Sequence, residues 1–166
     1  EKVVSKMQRI KPTPRSRVSS LAWRTFLRPS VVVLLACLSF VTIVMVSHEQ
    51  GPDVFHDSGL GWYDGVFFYH IAVSPSDAAP YLDNPAYRYQ RIFYPILAHI
   101  IGFGHPQAIS CALLLLNVTA LVAGTELLDQ ILEAWRANRW YALVYAFFIG
   151  QWVALRFDTS EPLCYL

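Results

Sequence analysis

The residues best suited to chemistry are an aspartate between an aromatic pair and a glycine, Trp62-Tyr63-Asp64-Gly65, and two arginines three apart, Arg88 and Arg91. An aspartate before a glycine can sit on a tight turn, and apolar neighbours that raise its pKa make a carboxylate a base for a sugar hydroxyl. The same side chain also suits the amino-terminal cap of a helix over residues 65–73, and spacing leaves both roles open. If residues 88–91 form a helical turn, both guanidinium groups share one face, with Tyr87, Tyr89 and Tyr94 around them. Such a pair suits a phosphate or pyrophosphate through bidentate charge-assisted hydrogen bonds. The alternative partners are internal, namely Asp64, Asp83 or Glu161. His70, Asp158 and Glu161 complete the polar set, although long apolar stretches separate Asp158 and Glu161 from the others.

Those stretches decide where the set must lie. The chain is 55% hydrophobic and only 15% charged, more apolar than a core of this length requires, which predicts a membrane protein. Most of its thirteen Lys and Arg precede residue 30. Residues 48–91 instead carry Glu49, Asp53, Asp57, Asp64, Asp77 and Asp83 against Arg88 and Arg91. The asymmetry orients the amino terminus to the cytoplasm of an inner, or cell, membrane and the acidic segment to the outside. The basic stretch carries no nucleic-acid-binding motif and is read as a topology signal or an anionic-lipid contact. Cys37, Cys111 and Cys164 lie in apolar stretches without metal-like spacing and read as buried thiols.

The predicted organisation is all-α and polytopic, with a long extracytoplasmic loop containing short interfacial helices. Residues 1–29 form a basic cytoplasmic segment. Residues 30–47 form a first transmembrane helix, about 18 residues and so about 27 Å long, read as a retained signal anchor. The loop at 48–91 is too aromatic for a linker; Trp62, Tyr63 and Tyr69 also suit the water–lipid boundary. Residues 92–104, interrupted by Pro95, read as a half-helix or re-entrant segment. Spans at 107–128 and 140–155 follow, joined by a cytoplasmic turn at 129–139; 156–162 is an outer loop and 163–166 starts a further helix. Asn117-Val118-Thr119 matches a glycosylation sequon but falls in mid-span. On this topology Asp64, His70, Arg88, Arg91, Asp158 and Glu161 gather at one outer membrane face.

Tyr63-Asp64-Gly65, followed by Tyr69-x-Ile71-Ala72 and then by Arg91-Ile92-Phe93-Tyr94-Pro95-Ile96-Leu97-Ala98, resembles the first outer loop and second-span entry of the polytopic GT-C glycosyltransferases. It is most similar to the mannosyltransferases that build glycosylphosphatidylinositol anchors and to their bacterial relatives, and 155–163 resembles the outer end of a later span. The resemblance implies sugar transfer from a polyprenyl-phosphate donor, with Asp64 as base, Arg88 and Arg91 on the donor phosphate, and Glu161 or Asp158 orienting acceptor or sugar. Tyr63, His70 and Tyr94 complete the expected binding set. No cofactor is evident. Some family members use a divalent metal, but no tight carboxylate cluster here demands one. The family commonly has many more spans than the roughly three and a beginning read here, so the sequence reads as the front of such a protein or as a shortened relative. The expected partners are the bilayer, a lipid-linked sugar donor and other membrane subunits. The alternative function is a non-catalytic accessory subunit of a larger membrane complex. A transporter fragment using the intramembrane His99 and Gln151 is a third reading.

Overall fold

The computed structural model describes residues 28–47 and 64–164, and every regular element among them is helical. Helix α1 spans Pro29–Ser47, with Pro29 in the first turn, where its missing N–H costs no intrahelical bond. Its buried residues Val33 and Cys37 pack against Leu121, Ala146 and Leu155, while Leu35, Leu38, Ile43 and Val46 face outward. A helix α2 covers Asp64–Val73. After the short α3, Pro85–Arg88, helix α4 runs over Phe93–Ile101. Pro95 does not interrupt α4: it is the third residue, inside the first turn, where proline is tolerated. Tyr94, Pro95 and Ala98 form its buried face. Phe103 and Gly104, at φ 50° and 71°, then reverse the chain.

The longest element, α5, spans Pro106–Ala134, so it extends well past the expected end at residue 128. At 1.5 Å per residue it is about 43 Å long, against about 30 Å for a hydrocarbon core. Helices α1 and α5 are the two helices, among the described residues, long and apolar enough to cross a membrane. The first half of α5 packs on α2 and α4 through Phe68, Ala72, Tyr94, Ala98, Ile109, Ala112 and Leu113. Its second half packs on α1. Arg28 and Ser30 both bond Glu126 at 2.6 Å, and Arg139 Nε holds the fully buried Asp129 at 2.7 Å.

Where the hydrophobic pattern predicts one helix over 140–155, the chain instead forms a turn at Arg139–Tyr141, then α6 at Ala142–Ala146 and α7 at Ile149–Phe157. Phe148 adopts an extended conformation (φ −59°, ψ 129°) at the break. Trp152 Nε1 donates to the Ala146 carbonyl at 3.0 Å, and its ring stacks on Phe147. The break thus supplies its own partner for a carbonyl that lost its helical one. A last short helix, α8, covers Glu161–Cys164, beginning before the expected residue 163. Of the three cysteines only Cys37 is buried; Cys111 and Cys164 lie on outward faces of α5 and α8 and are exposed. His99 is a structural tie, with Nδ1 donating to the Ala72 carbonyl at 2.7 Å and so fixing α4 to the end of α2.

Candidate functional site

Asp64 is the first residue of α2, where its negative charge complements the helix dipole. Its Oδ1 lies 2.9 Å from Arg88 Nη1. Arg88 meanwhile holds Asp83 through both Nε (2.8 Å) and Nη2 (3.0 Å), and its guanidinium lies 4.3 Å from the centre of the Phe67 ring. The segment delivers Arg88 because Asn84 caps α3, its side chain accepting from the Tyr87 N–H. Arg88 is buried; the hydrogen bond to Asp83 is the main reason its proton is held more tightly than usual, and it lowers the Asp83 pKa in turn. Of the two roles read for Arg88, the contacts are those of the internal ion pair. A buried guanidinium between two carboxylates works as a post that fixes Asp64 in direction.

Arg91 is the more accessible arginine. Its Nη1 is 2.9 Å from Glu161 Oε1, and the Tyr87 ring lies beside both guanidinium groups, 5.3 Å from that of Arg88 and 5.6 Å from that of Arg91. Glu161 Oε2 is buried and has no partner among the described residues. Asp64 and Glu161 face a common cleft of about 470 Å³, together with Thr159 and an apolar wall of Val153, Ala154 and Phe157. The start of α2 and the stretch from α7 to the start of α8, far apart in sequence, therefore meet in one cavity.

The third acid, Asp158, stands beside this cleft in a different environment. It ends α7 in the left-handed conformation (φ 54°) and is 3% exposed. Tyr94 Oη lies 2.7 Å from its Oδ1, and Asn117 Nδ2 donates to Oδ1 at 3.0 Å and to Tyr94 Oη at 2.8 Å. Tyr94 Oη is also 3.1 Å from the Leu113 carbonyl. One hydroxyl hydrogen serves one acceptor, so the network closes in two ways. With Asp158 ionised, Tyr94 donates to it; with Asp158 protonated, the carboxyl donates to Tyr94 and Tyr94 donates to Leu113. Burial pushes the Asp158 pKa up from 3.8 to about 7, against the opposing pull of Tyr94 and Asn117.

That shift has a signed consequence. The folded chain holds the Asp158 proton more tightly than the unfolded chain does. The associated stability is complete below about pH 4 and is lost as pH rises through about 7. About three pKa units correspond to about 4 kcal/mol at most. Asp158→Asn mimics the neutral acid, so the variant should be only slightly more stable to heat than the wild type near pH 4 and clearly more stable near pH 8. Thermal unfolding in detergent at the two pH values checks this, and equal slopes for both proteins would refute it.

The structure thus brings together Asp64, Arg88, Arg91, Asp158 and Glu161. Asp158 lies beside the middle of α5: Asn117, which touches it, is about 16 Å along the helix from Pro106. His70 does not join that group. Its ring stacks on Tyr81 at 4.7 Å and meets Tyr69 edge-on, about 9 Å along α2 from Asp64. Tyr94, expected on a phosphate, is instead 1% exposed and turned to Asp158, because its ring fills the α2–α4–α5 core against Phe68. Tyr63 lies outside the described residues. Sequence reasoning missed Asn117, treating it as an idle sequon; its available signal was an amide in the middle of an apolar helix. Compared with family models, with curated proteins and with solved structures, the chain finds no match.

Proposed function

We propose that this chain belongs to a multi-pass inner-membrane protein, amino terminus in the cytoplasm, that transfers a sugar from a polyprenyl-phosphate donor to a hydroxyl acceptor. The observation that carries the reading is the cleft shared by Asp64 and Glu161, two carboxylates beside an apolar wall with a buried arginine orienting one of them. Carboxylates accept hydrogen bonds from sugar hydroxyls, and Phe157 offers a surface for the apolar face of a pyranose ring. In the step proposed, Asp64 takes the acceptor hydroxyl proton as that oxygen bonds to the anomeric carbon. The bond from that carbon to the donor phosphate oxygen breaks, and polyprenyl phosphate departs with the electron pair. Glu161 positions the sugar or the acceptor. Arg91, the more exposed arginine, meets the charge on the leaving phosphate. The apolar wall of the cleft suits a lipid-linked substrate, with water kept from the reacting bond.

The test is consumption of the donor by the purified protein in liposomes. With polyprenyl-phosphate mannose, release of free polyprenyl phosphate above that from protein-free liposomes supports the proposal. Neither consumption nor binding of the donor would remove it. Arg91→Gln should raise the KM for that donor about tenfold with kcat nearly unchanged. An unchanged KM would return Arg91 to a purely structural pair with Glu161.

A further inference from the structure

Asp158 is the joint between α7 and α8, and its surroundings are those of a neutral acid. It holds the left-handed conformation (φ 54°, ψ 45°), which few residues with a side chain adopt, and the N–H groups of Asp158 and Thr159 both close on the Ala154 carbonyl. Beyond the joint, Thr159 and Ser160 are buried and α8 packs against α5. The donors to the carboxyl group are Tyr94 Oη and the Asn117 amide, both uncharged, and both reach Oδ1. Among the described residues Oδ2 has no donor and no basic side chain pairs with Asp158. The charged groups on the elements around it are Asp64 at the start of α2, held by Arg88; Glu161 on α8, held by Arg91; and Arg156 on α7 itself. Tyr94 is the titratable group from α4, and α5 contributes the Asn117 amide. A carboxylate sealed in with two neutral donors on one oxygen is short of donors, whereas a carboxylic acid carries its own. Two flanking atoms, Asn117 Oδ1 and Ser160 Oγ, are also buried without a partner among the described residues.

The element able to relieve this corner is α8. Tyr94 and Asn117 are fixed in the packing of α4 and α5, whereas α8 is a single turn hung from the joint. It is tied down by the half-exposed pair of Glu161 with Arg91, a kind of contact that contributes little, and by Leu163 at the edge of the core. We propose that α8 is a latch: it rests on α5 while the Asp158 carboxyl keeps its proton, and swings away about residue 158 once that proton is lost, admitting water to the carboxylate, to Asn117 Oδ1 and to Ser160 Oγ. The direction follows from linkage, since the closed form holds the proton more tightly than an open, hydrated one does, and rising pH therefore favours opening. Burial places the change near neutral pH, with the Asp158 pKa raised to about 7. Thr159 and Glu161 travel with the latch, so the carboxylate cleft is complete only in the closed state. The latch does not depend on sugar transfer, and it holds whatever the cleft binds.

Cys111 on α5 and Cys164 on α8 are both exposed while Cys37 is buried, so the chain accepts spin labels on the two helices without added cysteines. Distance measurement between the labels by pulsed electron resonance, in detergent, should give one short population at pH 5 and a second, longer one at pH 8. The ratio of open to closed should rise by up to about tenfold per pH unit, the signature of one proton. Asp158→Asn, which keeps the shape and cannot ionise, should hold the short distance at both pH values. Should that variant fold poorly, Tyr94→Phe, which withdraws one of the two donors from the carboxylate, should start the opening at lower pH. A single unchanged distance at both pH values, a longer population that persists in Asp158→Asn, or an opening that Tyr94→Phe does not move would each overturn the proposal.

Discussion

Asp64→Asn should lower sugar transfer by about a hundred- to ten-thousandfold while the protein stays folded and binds its donor normally. The separation is expected because of what Asp64 touches. An asparagine there still presents an oxygen to Arg88 Nη1, and Arg88 keeps both of its bonds to Asp83, so no buried charge is stranded. What disappears is the capacity to take a proton from the acceptor hydroxyl. The loss should therefore fall on kcat, with the donor KM within about twofold of the wild type, since Arg91 and Glu161 are untouched. Donor consumption in liposomes measures the rate, and thermal unfolding confirms that the fold survives. A variant that turns over within a few-fold of the wild type would show that Asp64 is the helix-starting acid and ion-pair partner of Arg88, with no proton to move.

Much of the scaffold was readable because its signals are local. An Asp-Gly step before Val66-Phe67-Phe68 predicts a helix start, and α2 begins at Asp64. The uncharged run at 30–47 has the length of a span, and α1 covers Pro29–Ser47. The internal partners of Arg88 and Arg91 were among the alternatives the sequence allowed, since those acids are the ones within reach of an outer loop. What stayed hidden depends on contacts between distant segments. The break at residues 147–148 lies inside a continuous apolar run, where periodicity has no feature to mark it, and it is stabilised by a tryptophan several residues later. The pairing of Asn117 with Asp158 joins positions 41 apart through Tyr94, and nothing in any of the three local sequences announces the other two. Tyr94 illustrates the cost of reading function from neighbours in sequence. Proximity to Arg91 suggested a phosphate, whereas its helix face commits it to the core.

Gly65→Ala should be the most damaging single-methyl change in the described structure. A Cβ at position 65 would stand 2.4 Å from the Phe157 carbonyl oxygen and 3.2 Å from the Asp158 Cβ. The nearer obstacle is backbone, at the end of a helix, so it cannot swing aside as a side chain would. The start of α2 must then move off α7, and with it the Asp64 carboxylate, the wall of the cleft and the seal over Asp158. Overpacking of this kind costs about 3 kcal/mol. For a chain of this size that is roughly 6–12 °C in Tm. Gly150→Ala is the matching control: its nearest obstacle is the Phe148 ring at 2.8 Å, exposed and free to rotate, so a loss of under about 1 kcal/mol is expected. The two variants also separate by pH. If the α2–α7 contact keeps water from Asp158, Gly65→Ala should flatten the fall in stability between pH 5 and pH 8, and Gly150→Ala should preserve it. A Gly65→Ala protein with wild-type Tm and an unchanged pH slope would mean that α2 is free to shift, and that the buried state of Asp158 is maintained by Tyr94 and Asn117 alone.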